Sequence, residues 1–342
     1  MRGTTPTVVA CLLAAACGDS QAPRAAPALL DVVAPTGYSG TALVDTAPPE
    51  NALTEARAQL GRRLFHEARL SSTGQVACAS CHLQEHAFSD PAPVSKGVDG
   101  ATGTRNAPAL VNLAWGATFF WDGRAPTLEE QAGKPIENPI EMNLPLADAV
   151  ARVAGDATYA RAFTDAYGGP PTEETLRFAL ASFVRALVSG DSPYDRHLRG
   201  DDAAFGAAEA RGEAIFSSER GGCFHCHPSG ALTNDGYFNN GSYVAGGDRG
   251  RQLVTGRTGD LGKFRVPGLR NVAASAPYMH DGSLPDLAAV IEQYDRGGRG
   301  DPSTDPQIRP LGLGADEKAD LLAFLRSFTD DRFLHDERYA AR

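Results

Sequence analysis

Two short stretches constrain this chain more than anything else in it: "CASCH" at 78–82 and "CFHCH" at 223–227. Both read Cys-x-x-Cys-His. The chain has six cysteines, and the other two, Cys11 and Cys17, lie in an apolar run at the N-terminus. Every remaining cysteine is committed to one of the two motifs. That spacing is the attachment pattern of c-type haem. Two thiols add across the two vinyl groups of one porphyrin, and the next residue turns its imidazole onto the iron. Zinc is the structural alternative, but a zinc ribbon sets its two pairs about 15–20 residues apart. Cys81 and Cys223 are separated by far more than that. A redox disulfide explains neither the histidine nor its repetition. Cys78, Cys81 and His82, and again Cys223, Cys226 and His227, are therefore expected to hold two covalent haem c groups, with His82 and His227 on the irons.

The motifs sit inside a repeat. "LGRRLF" (60–65) precedes the first and "RGEAIF" (211–216) the second. Each motif is followed much later by an amphipathic helix. Leu176, Leu180, Phe183, Val184 and Leu187 recur at helical spacing, and so do Leu321, Leu322, Leu325 and Phe328. "FVRAL" (183–187) and "FLRSF" (324–328) are cognate. The unit is helix, haem motif, long excursion and closing helix, used twice. Strand signals are scarce. The pattern predicts a mainly α chain: two tandem cytochrome c-like haem domains with long irregular loops. The expected boundaries are an N-terminal haem domain over 51–191, a linker over 192–202 and a C-terminal haem domain over 203–342. The excursions at 88–150 and 228–290 are rich in Gly, Pro and Asn. Loops of that length tend to be functional, and these are expected to surround the two haems.

The ends and the charge bear on location and partners. "TVVACLLAAAC" is too short and too early for a mature spanning helix. Residues 1–17 read as an export leader, with Cys17 placed like the lipidated cysteine of a bacterial lipoprotein. A plain secretory leader is the alternative. Residues 18–50, rich in Ala and Pro, read as a flexible tether. The chain is expected to be periplasmic or otherwise exported, meeting the membrane only through that anchor. The formal charge of −10 argues against a nucleic-acid partner, which needs a basic face. It is compatible with a basic redox partner.

Longer irregular motifs carry a resemblance. "RNAPALVNLAWGATFFWDGRAPTLEEQAGKPIENPIEMN" (105–143) and "FRVPGLRNVAASAPYMHDGS" (264–283) resemble the bacterial dihaem cytochrome c peroxidase and MauG superfamily, closest to its MauG-like and MbnH-like members. The resemblance spans about 50–330. It implies that the N-terminal haem meets hydrogen peroxide. It also implies roles for named residues. Glu141 resembles the acid–base carboxyl of the peroxide pocket, a group able to take and return a proton within hydrogen-bond reach. Gln131 resembles the pocket glutamine, Pro135 the proline that shapes it, and Trp121 the indole between the haems. Asn106, Ser275 and Pro277 match the family's calcium donors, an oxygen-only set that suits a hard cation.

Tyr294, in "AVIEQYDRGG", is an ordinary helical core residue by position alone. The resemblance changes that reading. In the peroxidases a methionine lies fourteen residues beyond the histidine of "HDG"; here that histidine is His280 and the place is held by Tyr294. MauG-type enzymes carry an axial tyrosine there. The resemblance therefore implies a second iron ligated by His227 and Tyr294. After His82 the next histidines are His86 and then His197, so the first haem is expected to be open on its far side. Gly221 stands where MauG has a tryptophan. The expected activity is oxidation of a partner protein with hydrogen peroxide, as in MauG-like or MbnH-like enzymes. The alternative is a cytochrome c peroxidase fed by a small redox protein; a dihaem electron shuttle is a third reading, with no use for an open site.

Overall fold

The computed structural model describes Met1 and residues 33–37, 46–228 and 230–341. The leader beyond Met1, Cys17 and most of the tether lie outside the described residues. The described chain is mainly helical, with one strand pair, β1 (Tyr237–Phe238) and β2 (Phe264–Arg265). No helix among the described residues is long and apolar enough to cross a membrane.

The first unit is framed by α1 (Glu55–Phe65) and α5 (Glu173–Arg185), with α2 (Leu128–Glu137), α3 (Leu146–Ala154) and α4 (Ala157–Tyr167) between them. Thr54 caps α1 by accepting from the Arg57 amide at 3.3 Å. Thr172 and Thr175 cap α5 reciprocally, the arrangement that satisfies free amides of a first turn. Helix α6 (Pro193–Leu198) leads into the second unit. That unit is framed by α7 (Ala207–Phe216) and α10 (Ala315–Arg326), with α8 (Gln252–Thr255) and α9 (Leu287–Asp295) between. A last helix, α11 (Asp331–His335), follows.

The expected repeat is visible in how the frame helices cross. A Cβ at Gly61 would lie 1.9 Å from the Ala179 carbonyl oxygen, and one at Gly212 would lie 2.1 Å from that of Asp320. Each unit thus seats a glycine of its first helix directly on the backbone of its closing helix. Phe65 meets Phe183 at a centroid distance of 5.1 Å, and Phe216 meets Phe324 at 5.2 Å. The matching sequence pairs, "LGRRLF" with "FVRAL" and "RGEAIF" with "FLRSF", are this crossing written twice.

Two features depart from the expected boundaries. Residues 192–202 are more than a linker. They contain α6, capped by Ser192 and Asp195, and Tyr194 is buried in the second core. The chain's last residues pack away from their own unit. Phe333, Leu334 and Tyr339 are buried in the first core, with Phe88 and Phe333 ring centroids 5.7 Å apart. Buried polar groups hold the junction. The Asp330 carboxylate accepts from the Ser189 hydroxyl and from the Gly190 and Asp191 amides, at 3.0–3.1 Å. The Arg270–Asp195 pair, 2.7 Å and fully buried, fastens α6.

Replacing Gly61 or Gly212 with alanine forces backbone apart at a helix crossing. Overpacking of this kind costs about 1–3 kcal/mol. Each variant is expected to unfold several degrees below the parent in a thermal melt, and the double variant lower again.

Candidate dihaem site

Each Cys-x-x-Cys-His motif forms a tight turn that opens onto its own cavity. The first cavity, about 190 Å³, is lined by Cys78, Cys81 and His82; the second, about 270 Å³, by Cys223, Cys226 and His227. All four thiols are free. Burial raises all four, pushing Cys78 and Cys223 up to about 12, and the neighbouring Cys81 or Cys226 thiol adds to the effect on these two. Neutral sulfur in an apolar wall is what a thioether needs.

The two histidines are oriented alike. His82 Nδ1 donates to the Phe88 carbonyl at 2.6 Å, and His227 Nδ1 donates to the Leu232 carbonyl at 2.8 Å. Both accepting residues have left-handed backbone, φ 56° at Phe88 and φ 53° at Leu232. Non-glycine residues rarely adopt that region, and the cost falls on the residues that aim these carbonyls. Burial holds both imidazoles below their ordinary value, His227 at about 4. With Nδ1 committed and the ring neutral, Nε2 keeps a free lone pair, the usual state of a metal-binding histidine.

The first cavity gathers the residues expected around peroxide. Gln131 and Pro135 come from α2, Glu141 from the loop after it, and Trp121 and Arg124 from "FFWDGR". Pro135 lies inside α2 and has no N–H, so the Gln131 carbonyl loses its usual helical donor. Burial raises the Glu141 carboxyl, while donation from Asn138 Nδ2 at 2.6 Å and the charge of Arg124 oppose the rise. Gly97 makes this placement feasible: a Cβ there would lie 2.2 Å from the Ile140 carbonyl oxygen. The Val98 amide then donates to the Glu141 carbonyl at 2.8 Å. His86 is half-buried and bonded to the Ala274 carbonyl at 3.3 Å, away from the cavity lining.

Trp121 lines both cavities. Its indole N–H donates to the Asn106 carbonyl at 2.8 Å, and its own carbonyl accepts from the Arg265 amide at 2.7 Å. The second cavity is lined by Tyr294 from α9, together with Met279 and Asn240. Asn240 Nδ2 donates to the Tyr294 hydroxyl oxygen at 3.1 Å and to Met279 Sδ at 3.3 Å. Burial pushes the Tyr294 phenol up to about 12, against that donation. Asn106, Ser275 and Pro277 also line this cavity. The Asn106 amide group donates to the Ala92 and Pro93 carbonyls. Among the described residues no group of three or more His, Cys, Asp or Glu is gathered for a metal.

Sequence reasoning missed Asn240, Gly97 and the two carbonyl-bearing residues. "NG" at 240–241 reads only as a turn. Gly97 gives no signal without knowing what it packs against.

Neutral sulfur pairs beside an oriented imidazole suit a covalently attached porphyrin iron, and the chain builds that setting twice. It is a haem-dependent oxidoreductase of the dihaem c type. Comparison with known proteins narrows the class. Residues 55–203 match the family profile described as di-haem cytochrome c peroxidase. The chain is 39% identical over 284 residues to the methylamine utilization protein MauG of Methylorubrum extorquens, covering 82% of this chain and 80% of that one. It is 33% identical over 287 residues to the cytochrome c551 peroxidase of Pseudomonas aeruginosa, covering 81% and 80%. Among solved structures it resembles a MauG-like protein associated with microbial copper homeostasis, with TM-score 0.82, 38% identity, and coverage of 86% of this chain and 95% of that one. The dihaem peroxidase BthA of Burkholderia thailandensis shares the fold, with TM-score 0.72 and 24% identity over 90% of this chain and 94% of that one. The chain belongs to the dihaem cytochrome c peroxidase and MauG family.

The raised Glu141 carboxyl has a stability consequence. A folded value above the unfolded one favours folding below the unfolded value, and that advantage is lost as pH rises through the folded value. Glu141→Gln is therefore expected to melt higher than the parent at pH 7 and equally at pH 4. Melts across that range check it.

Proposed function

We propose that this protein is a MauG-like enzyme: it reduces hydrogen peroxide at the N-terminal site and takes the electrons from tryptophan or tyrosine side chains of a partner protein. Reduction of one peroxide to two waters consumes two electrons and two protons, and the partner supplies the electrons. The observation that carries this reading is Tyr294 on the wall of the second cavity, bonded to Asn240 and beside the Met279 thioether, the kind of ligand that would serve a purely electron-entry haem. When bound, haem supplies a redox-active iron at each cavity.

The residues then divide the work. His82 and His227 would hold the irons through Nε2, with Cys78, Cys81, Cys223 and Cys226 as thioether anchors. Tyr294 would be the second protein ligand of the C-terminal iron. Burial alone keeps it a neutral phenol, so an anionic oxygen here needs a cation beside it. An anionic, hard donor favours the higher oxidation states. Glu141 would accept a proton from peroxide and return it to the departing oxygen; its raised value suits a group that must exist in both forms. Gln131 would orient peroxide or water, and Pro135 sets the backbone that carries it. Trp121, walling both cavities, would pass charge between them. An ion of the calcium type, held by Asn106 with the Ser275 and Pro277 carbonyls, is part of the same proposal. So are the periplasmic location and the lipid anchor at Cys17, which the leader supports.

The partner differs from that of MauG itself. Gly221 stands where MauG carries a tryptophan, and a Cβ there would lie 2.1 Å from the Ile215 carbonyl oxygen. No indole fits without moving α7. The similarity to a MauG-like protein associated with microbial copper homeostasis supports a partner of that kind instead.

Titration of the fully ferric holoprotein with peroxide tests the reading. Both haem spectra are expected to change together without prior reduction; a reaction that begins only after one haem is reduced favours the peroxidase alternative. Glu141→Gln is expected to slow peroxide consumption about 10²–10⁴-fold, the usual worth of a positioned acid–base group, with both haems still attached. Tyr294→Phe is expected to change the spectrum of the second haem alone.

A further inference from the structure

Asn240 occupies a place that no sequence signal marks. Its Nδ2 is bonded at once to the Tyr294 hydroxyl oxygen, at 3.1 Å, and to Met279 Sδ, at 3.3 Å. All three side chains line the second cavity. This chain therefore brings two different metal-binding side chains, a phenol and a thioether, to the same amide nitrogen.

The amide is not free to turn over. Its Oδ1 accepts from the Ser242 amide at 3.2 Å, which fixes the NH₂ end toward the tyrosine and the methionine. The backbone next to it is tied to α9, the helix that carries Tyr294. Gln293 Nε2 donates to the Gly241 carbonyl at 3.1 Å, a buried bond, and the Arg299 amide donates to the same carbonyl at 3.0 Å. Gly241 and Gly298 pack so closely that a Cβ on Gly241 would lie 2.7 Å from the Gly298 Cα. Asn240 and Tyr294 thus belong to one rigid piece. Met279 is held differently. It sits at φ 74°, in the left-handed region, on the loop of "PYMHDG".

We propose that Asn240 is a positioning residue that selects the oxygen ligand over the sulfur ligand at the C-terminal haem. The proposal rests on Tyr294 being that haem's ligand. One N–H occupies a lone pair of the Met279 sulfur, leaving the thioether a poorer donor. The other N–H donates to the tyrosine oxygen, stabilising it as an acceptor and holding it in place while its remaining lone pairs face the cavity. Loss of both donors frees the sulfur and leaves the oxygen unsupported. The choice of ligand then decides whether the centre favours the oxidised or the reduced iron.

Asn240→Leu removes both donors at similar size; Asn240→Asp keeps the shape and the bond to the Ser242 amide while removing the same donors. The holoproteins are compared by haem content, ferric absorption, including the near-infrared charge-transfer region that reports methionine on ferric haem, and midpoint potential. Both variants are expected to carry two haems and to show partial or complete conversion of the second haem to a methionine-ligated spectrum. Asn240→Leu is expected to raise its potential as well. Adding Met279→Leu is expected to abolish the new band. Tyrosine-type ligation retained in both variants, with the second haem's potential unmoved, overturns the proposal, as does a new band that survives Met279→Leu. Tyr294→Phe separates the two levels: if it leaves the second haem unchanged, the tyrosine reading itself fails and takes this one with it. If Tyr294→Phe alters the spectrum and both Asn240 variants do not, only the selector role is lost.

Discussion

The hydrogen bond from each motif histidine to a carbonyl on a left-handed residue is the contact on which the rest of this molecule depends. It fixes the tautomer and the ring plane together, leaving the other nitrogen with a free lone pair. Helices could hold a histidine in a cavity without it, but not in one orientation. Phe88 and Leu232 give up ordinary backbone geometry to make it. Their side chains are buried, one in each core, so packing supplies what the dihedrals cost. The frame helices, with their paired glycine crossings, hold those cores.

From a shared plan the two cavities diverge. The first is finished with polar groups: a buried carboxyl, an amide and a helix carbonyl stripped of its donor by Pro135. The second is finished with two side chains of metal-donor type, a phenol and a thioether, and an amide bonded to both. Trp121 stands in the wall they have in common, fixed at its ring nitrogen and at its own carbonyl. The repeated frame gives two alike settings, and the long excursions make them unequal.

Much of this was legible in the sequence because it is either periodic or stoichiometric. Helical spacing of Leu and Phe marks α5 and α10, and the cysteine count leaves no other use for Cys78, Cys81, Cys223 and Cys226. Glu141, Gln131, Pro135 and Trp121 were found through a long irregular motif, and the fold gathers them at one cavity. What escaped is what depends on approach across space. Asn240 sits in an Asn-Gly pair that reads as a turn. Gly97 has meaning only beside the carbonyl it would strike. The segment 192–202 carries Ser, Pro and Asp, residues equally at home in a connector and in a capped helix, and it proved to be the latter in part. The destination of the C-terminus was hidden because a short apolar helix says nothing about which core receives it.

That destination bears on how the molecule is made. Gln84, two residues past His82, donates to the carbonyls of Phe333 and Asp336, and Phe333, Leu334 and Tyr339 close the core around Phe65, Phe88 and Phe183. A nascent chain emerges from its N-terminus, and domains that emerge first generally fold first. Here the earlier half lacks part of its interior until the segment at 333–339 has joined it. The half synthesised first therefore borrows its closing piece from the far end of the sequence.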